Sequence, residues 1–476
     1  MSRSRYVSLV VSVAVILGGI VAAPARAAVS PEAAVATTGV DIGSCESAAP
    51  CRTISYAIGR VGPGGTVRIA AGWYAENVII PDHGVNLVGA GMDVTVLNGR
   101  QRDTVVTANG AGALGVADLT IVNGVGPHLY TGGGITSHGP LTVRRVRLWH
   151  NAGDVGGGIA AFGGGDISES VIDGNTARTG GGGVFTTSGT LAVRASTVSG
   201  NSVAAPGSLG GGLYAVFGWL RVEDSTVSGN AVGGTGSAIA AVHTGLRLRH
   251  ATVAGHRTGG PAVVTIGHSG LTHDITGSLF AGNSGGDCAL AFPPAVDPAD
   301  RNVSADGSCG RQVPDNEIDL GPLGLDFGAT PTRALGVAST IRGSIPSADP
   351  LCDGTDQRGQ SRRNALAGGC DPGAHQSAPV PFNVTPPTVT LISVGWDDYQ
   401  VTPGAWAGAR NMVHAYQWER CTHSGVCGPI VGATSSIYRV VPADSGHRLR
   451  ARVTATSAVG ISQPAYSGLT DGIGWG

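Results

Sequence analysis

Residues 191–201 read LAVRASTVSGN, residues 220–230 read LRVEDSTVSGN, and residues 246–256 read LRLRHATVAGH. Each stretch ends at an Asn or a His and carries aliphatic residues eight and three positions before that end, with a small residue five positions before it. Within each stretch the apolar residues alternate with period two, which is typical of β-strands. A repeat of this kind predicts stacked structural units of one design.

Further copies of the same pattern extend the repeat in both directions. The repeats end at Asn151, Asn175, Asn201, Asn230, His256 and Asn283, with spacings of 24, 26, 29, 26 and 27 residues. The inward column eight positions before these ends contains Val143, Ile167, Val193, Val222, Leu248 and Ile275. A period near 26 accommodates three short strands per coil, and neighbouring coils would lie about 4.8 Å apart. The sequence therefore predicts an all-β fold, a right-handed single-stranded parallel β-helix over residues 41–285.

The asparagines that end the repeats suggest a structural role. Stacked Asn side chains can hydrogen-bond from coil to coil as an amide ladder, and Asn also tolerates the left-handed turn. We expect such a ladder along Asn151, Asn175, Asn201, Asn230 and Asn283. An amphipathic helix at Arg52–Arg60, with Ile54, Ala57, Ile58 and Val61 on one face, would cap the N-terminal end of the stack.

Composition and cysteines point to an exported protein. Residues 1–27 have the basic start, apolar core and small-residue cleavage site of a signal peptide, and residues 28–40 are predicted to be a flexible N-terminus. Charged residues make up only 13% of the chain and the formal net charge is −2, which argues against nucleic-acid binding. The eight cysteines form four local pairs: Cys45/Cys51, Cys288/Cys309, Cys352/Cys370 and Cys421/Cys427. Behind a signal peptide these pairs indicate disulfides, with zinc as the competing interpretation of the last pair.

Several motifs resemble known families. The turn Pro63-Gly64-Gly65-Thr66 and the stretch Gly72-Trp73-Tyr74-Ala75-Glu76 resemble the first coil of the pectate-lyase-like superfamily, and Phe280-Ala281-Gly282-Asn283 resembles the repeat of polymorphic outer-membrane proteins. Thr330-Pro331-Thr332, Asp356-Gln357-Arg358-Gly359 and Cys370-Asp371-Pro372-Gly373-Ala374 are similar to the choice-of-anchor Q module of bacterial surface proteins, here over residues 286–378. That resemblance implies an exported protein and no agreed catalytic role.

Residues 388–476 are predicted to be a separate small antiparallel β-sandwich. A proline-rich linker at 379–387 would precede it. The stretch Tyr416-Gln417-Trp418-Glu419-Arg420-Cys421 resembles an immunoglobulin-like module of exported proteins, with Trp418 as the core tryptophan. The inter-sheet disulfide of immunoglobulin domains is absent, because Leu449 and Ala451 stand where Tyr and Cys are usual, so Cys421/Cys427 is expected to close a hairpin.

The functional interpretation is less specific. Phe185 and Tyr214 fall in one outward column on adjacent coils and could form a stacking platform for a sugar, or a ring pair that only stabilises the sheet. The acidic residues Glu169, Glu223 and Asp224 each have a basic neighbour one coil away, which favours a charge ladder over a calcium site. The histidines at 243, 250, 256, 268 and 273 show no metal-motif spacing, and Thr197, Thr226 and Thr252 form an outward threonine column.

We therefore expect a secreted or cell-surface, non-catalytic β-helix protein that binds polysaccharide or another component of the cell envelope. We expect a monomer with no membrane span after signal cleavage, no cofactor, no metal and no catalytic residue. The alternative is a polysaccharide lyase or glycoside hydrolase acting on acidic polysaccharides, for which calcium would be the implied cofactor. The signature motifs of pectate lyases and polygalacturonases are missing from the sequence.

Overall fold

The computed structural model describes residues 30–257, 260–267, 270–291, 301–326, 328–336, 338–363, 369–377, 381–393, 398–407, 412–422, 426–457 and 460–474. The predicted signal peptide and His268 lie outside these residues. The chain forms an all-β protein, in which a parallel β-helix of about eight turns is followed by small antiparallel sheets, as the sequence predicted.

Three faces make up the β-helix, and each is a column of parallel strands that belongs to one 26-stranded sheet. Face 1 contains Val78–Ile80, Val106–Ala108, Ile135–Ser137, Ile159–Ala161, Val184–Thr187, the first part of Leu213–Glu223 and of Ile239–Arg249, Val263–Ile266 and Cys288–Leu290. Face 2 contains Ser30–Val35, Val61–Ile69, Val85–Val88, the first part of Leu114–Val122 and of Leu141–Trp149, Gly165–Ser168, Thr190–Arg194, the second part of Leu213–Glu223 and of Ile239–Arg249, and His273–Thr276. Face 3 contains Gly72–Tyr74, Thr95–Asn98, the second part of Leu114–Val122 and of Leu141–Trp149, Val171–Asp173, Thr197–Ser199, Thr226–Ser228, Thr252–Ala254, Leu279–Ala281, Val303–Ser304 and Arg311–Gln312.

The core is the set of aliphatic columns that the repeat predicted. Val143, Ile167, Val193 and Val222 are consecutive partners in register and all are completely buried. The pairing continues through Leu248 and Ile275 in the next two coils. Each coil can bury these side chains only against its neighbours, so the coils stabilise one another within the stack.

The predicted asparagine ladder is present. The Nδ2 of Asn151 donates to the Oδ1 of Asn175 at 3.0 Å, Asn175 donates to Asn201 at 3.0 Å, and Asn201 donates to Asn230 at 2.9 Å. All four side chains are buried, so these hydrogen bonds form in a region of low dielectric. At the next rung His256 takes the place of Asn: its Nδ1 accepts from the backbone N–H of Asn230 at 3.1 Å, and the backbone N–H of His256 donates to Asn283 Oδ1.

A second ladder runs along the small-residue column. The Oγ of Ser170 accepts from the backbone N–H of Val146, Ser196 accepts from Ser170, and Ser225 accepts from Ser196, each at 3.1 Å. The column is rich in serine because a hydroxyl satisfies a buried backbone N–H at the bend between faces 2 and 3, where a methyl group would leave it unpaired.

The N-terminal end is capped by a short helix, Ile54–Ile58, whose N-cap Thr53 accepts from the backbone N–H of Tyr56. This helix lies within the predicted Arg52–Arg60 segment. Ser30–Val35 pairs with Val61–Ile69 as an ordered parallel strand, so the expectation of a flexible segment at 28–40 is corrected for residues 30–35. The strand is held because Ala33 and Val35 enter the core.

Residues 328–336, 338–363 and 369–377 fold back over the outside of face 3, and we call them the docked segment. Before it, residues 313–326 contain the helix Asp315–Ile318 and the strand Leu320–Gly324, which pairs with Thr332–Leu335. The docked segment also contains Ile345–Pro346 paired with Gly369–Cys370, and the 3₁₀ helix Pro350–Cys352.

The threonine column of face 3 is the surface that the docked segment covers. Thr226 Oγ1 donates to Gln357 Oε1 at 2.7 Å, and Gln357 Nε2 donates to Thr197 Oγ1 at 2.9 Å. Thr197 also donates to the carbonyl of Pro331 at 2.5 Å. The column does point out of the β-helix, as predicted, but it is buried, so it offers no surface to solvent.

Two further coils contact the end of the docked segment. The backbone N–H of Ala374 donates to Thr252 Oγ1 at 2.8 Å, and that of Gly373 donates to the carbonyl of Gly277 at 2.7 Å. Gly373 has a φ of +91°, and a Cβ there would lie 2.6 Å from Thr252 Oγ1. The hydrogen bond from Gly373 to Gly277 therefore needs a glycine at position 373, because the Cβ of any other residue would collide with Thr252.

The C-terminal residues form the antiparallel unit. Its sheets contain Phe382–Thr385 with Ala405–Ala407; Thr388–Ser393 with Asp398–Thr402 and Ile437–Arg439; and Val413–Cys421 with Cys427–Pro429, Arg448–Ser457, Gly460–Ile461 and Ala465–Tyr466, besides the 3₁₀ helix Pro442–Asp444. Trp418, Leu449 and Ala451 are completely buried in its core. Residues 382–385 pair as a strand, which corrects the prediction of a linker over that part of 379–387.

All four cysteine pairs are disulfides, as predicted: Cys45–Cys51, Cys288–Cys309, Cys352–Cys370 and Cys421–Cys427. Cys421 and Cys427 are directly opposite each other in a hairpin. The disulfides indicate folding in an oxidising compartment. Across the described residues, no helix has the length and apolar character that a membrane crossing requires.

Candidate functional site

The predicted ring pair, Phe185 and Tyr214, lies on face 1. The two residues are partners in register and their ring centroids are 5.5 Å apart, but the rings meet edge to face at 62°. Phe185 is only 7% exposed, because Val155 and Ala160 pack against it. The expectation of two open ring faces for a sugar is therefore corrected: this pair belongs to a covered apolar cluster.

A small extra sheet accounts for that burial. Its four parallel strands follow the asparagine ladder and consist of Ala152–Val155, Thr176–Gly180, Ser202–Val203 and Ala231–Val232. Val155 contributes to the cluster around Phe185, and Gly180 lies so close to Tyr214 that a Cβ there would be 2.6 Å from the ring. The strands of this extra sheet thus cover the part of face 1 next to Phe185 and Tyr214.

Accessible rings lie instead at the corner where face 1 turns into face 2. His138 stacks on Phe162 with centroids 4.7 Å apart and rings 10° from parallel. Two coils further on, Phe217 stacks on His243 at 5.7 Å and 13°. Ser188 stands at the same corner in the coil between these two pairs. We call His138, Phe162, Phe217 and His243 the corner column; His138 and Phe217 are exposed, and the other two are half-buried.

Sequence reasoning missed this column although the repeat contains its signal. His138 stands 13 positions before Asn151, and Phe217 stands 13 positions before Asn230. The aligned columns that predicted the β-helix lie three to eight positions and 16 to 20 positions before those ends, so the corner falls between them. Aligning the repeats at the thirteenth position before their ends would have shown that the four rings form one column.

Face 2, next to the corner column, carries several exposed ion pairs. Arg144 pairs with Glu169 at 3.1 Å, and Arg194 pairs with Glu223 at 3.3 Å and also with Asp166. The predicted charge ladder is therefore formed at Glu169 and Glu223. Exposed ion pairs of this kind contribute about 0–1 kcal/mol each.

Asp224 has a different partner from the one its column predicted. Its carboxylate accepts from Arg362 of the docked segment at 2.7 Å, and the Arg362 side chain is completely buried. Burial raises the pKa of Asp224, while the charge of Arg362 acts against that rise. Asp224 is thus an anchor of the docked segment and does not face solvent as a free carboxylate.

Two of the histidines near the end of the β-helix are structural. Burial lowers the pKa of His256, at a rung of the asparagine ladder, to about 4. Burial also lowers the pKa of His250 to about 3, and its Nε2 lies 2.7 Å from the carbonyl of Leu351 in the docked segment. Within the described parts of the chain, no group of three His, Cys, Asp or Glu side chains is arranged to hold a metal ion.

Neither a protein-family model nor a curated protein matches the chain. The functional argument therefore rests on the corner column and on the charged face beside it.

Proposed function

We propose that the chain is a secreted, non-catalytic β-helix protein that binds polysaccharide along the corner column. The observation that carries this proposal is the stacking of accessible rings at one corner of a rigid sheet, in His138–Phe162 and Phe217–His243. An aromatic ring offers a flat apolar face with negative charge density, which suits the C–H face of a sugar. The strands behind the rings fix their positions, so little conformational entropy is lost on binding.

The state of the carboxylates supports binding over catalysis. Glu169, Glu223 and Asp166 are each held by an arginine, and Asp224 anchors the docked segment. A lyase or hydrolase would need an acid, a base or a metal ligand that is free to act on a sugar.

Export and family membership belong to the same proposal. We infer that the docked segment belongs to a choice-of-anchor Q module over residues 286–378, and the direct contacts of its motif residues Gln357 and Ala374 with the β-helix support this. The antiparallel unit, with Trp418 in its core, is inferred to be an immunoglobulin-like spacer, and the β-helix to be of the pectate-lyase-like type. The disulfides support export.

A glycan array with the disulfide-bonded mature chain tests the proposal. The double variant His138→Ala/Phe217→Ala removes one ring from each stacked pair and should lose the glycans that the wild type retains. Trp73→Ala is the matched control, because Trp73 is 68% exposed but lies on face 3, away from the corner. Equal binding by wild type and double variant would refute the site.

Catalysis is tested on the same samples. The protein is incubated with pectate, alginate and glycosaminoglycans, with and without calcium. Unsaturated uronate or new reducing ends, produced by wild-type protein, would overturn the non-catalytic proposal.

A further inference from the structure

Trp219 occupies an unusual position on face 2, beside the corner column. It is 39% exposed and lies directly opposite Gly245 of the next coil. A Cβ on Gly245 would lie 2.7 Å from Cε3 and 2.8 Å from Cδ2 of the indole. The indole therefore lies over the backbone of Gly245, where any side chain would displace it.

Arg221 follows Trp219 on the same side of the strand. Leu220 and Val222 point into the core, so Trp219 and Arg221 both point outward, about 6.6 Å apart along the strand. Within the described part of the chain, Arg221 has no ion-pair partner, and its Nε is buried without a hydrogen-bond partner, so a ligand would meet the terminal Nη1 and Nη2.

The charges around Arg221 leave it uncompensated. Arg247 is its direct neighbour on the next coil, and like charges in that position repel. Asp274 is already paired with Arg247 at 2.7 Å, and Glu223 is paired with Arg194 at 3.3 Å. An anion bound to Arg221 would offset the repulsion between the Arg221 and Arg247 guanidinium groups.

We propose that Trp219 and Arg221 form a subsite for a uronate residue of a polysaccharide. The sugar ring stacks on the indole, and its planar carboxylate accepts two parallel hydrogen bonds from the guanidinium of Arg221. Gly245 is a positioning residue, because it allows the indole to lie against the sheet. This inference rests on the proposed function and adds the class of sugar that the surface prefers.

Isothermal titration calorimetry with two matched probes tests the inference. One probe is a β-1,4-linked glucuronate oligosaccharide, and the other is the glucose oligosaccharide of the same linkage and length. The wild type should bind the glucuronate probe about tenfold more tightly than the glucose probe. Arg221→Gln should remove that difference and leave the affinity for the glucose probe unchanged.

The other variants separate the parts of the subsite. Trp219→Ala should weaken binding of both probes by about tenfold, and Gly245→Ser should do the same without altering any residue that touches the sugar. Arg144→Gln is the matched control, since Arg144 is also an outward-pointing arginine of face 2. It should bind both probes as the wild type does.

Each result decides a different point. If neither probe nor any array glycan binds the wild type, the proposed function fails together with the subsite. If Trp219→Ala binds both probes like the wild type while the corner-column variant does not, the function stands and the subsite is refuted. If Arg221→Gln keeps the preference, or if a sulfated glucose oligosaccharide binds as tightly as the glucuronate probe, the assignment of a uronate is overturned.

Discussion

Replacing Asn201 by Ala should be among the most damaging single changes in the β-helix. The Oδ1 of Asn201 accepts from the backbone N–H and the Nδ2 of Asn175, at 2.9 and 3.0 Å. Its Nδ2 donates to Asn230 Oδ1 and to the carbonyl of Ile172, both at 2.9 Å. Asn201 is completely buried, so water cannot replace these partners.

The magnitude follows from those four hydrogen bonds. At about 1 kcal/mol for each bond, the loss in the free energy of unfolding is about 4 kcal/mol, and the cavity left by the side chain adds to it. The control is Arg144→Ala, which removes an exposed ion pair with Glu169 and should cost less than about 1 kcal/mol.

Urea unfolding followed by circular dichroism measures both variants. The midpoint of Asn201→Ala should fall clearly below that of Arg144→Ala, with little change in the slope of the transition. A loss within about 1 kcal/mol for Asn201→Ala would refute the view that the asparagine ladder stabilises the stack.

Three further outcomes are expected. Burial lowers the pKa of His256 to about 4. The unfolded chain therefore takes up a proton at this residue near pH 6.5, whereas the folded chain does not. The free energy of unfolding should accordingly decrease as the pH falls from 6.5 to 4. His256→Asn, which installs the residue of the other rungs, should reduce that loss in thermal unfolding at pH 4 and 7; an unchanged loss would contradict the assignment. Arg362→Met leaves Asp224 without its partner and should speed hydrogen exchange at the Ala374 amide, which donates to Thr252. Exchange at the Ile159 amide should stay slow. An unchanged exchange rate at Ala374 would contradict the role of the ion pair. Cys421→Ser/Cys427→Ser opens one hairpin of the antiparallel unit and should lower the thermal midpoint of that unit alone, and a fall in the midpoint of the β-helix would show that the two unfold together.

The sequence predicted the β-helix well because its signal is repeated in every coil. Val193 and Val222 are interpretable as inward residues only because the same position is aliphatic in each copy. The amide ladder was predictable for the same reason, and the four disulfides were predictable from the local pairing of the cysteines.

The candidate site was harder to predict because many of its contacts do not repeat. The side chain of Phe185 was correctly predicted to point out of the β-helix. The short strand Ala152–Val155 that covers it, however, has no periodic pattern in the sequence. Asp224 pairs with Arg362, which lies 138 residues later in the chain, and no column of the repeat contains that information. Trp219 and Arg221 could have been found, because they flank Leu220 in a strand whose inward residues were already known.

The docked segment gives the molecule a mechanical property. It crosses from Thr197 to Gly277, so it is fastened to four successive coils before the chain continues into the antiparallel unit. A force applied to the antiparallel unit would load contacts at several coils at once, including the Arg362–Asp224 ion pair. Those contacts would have to break before strands could separate from the end of the stack. A protein tethered through its C-terminal unit would in this way resist unravelling under flow.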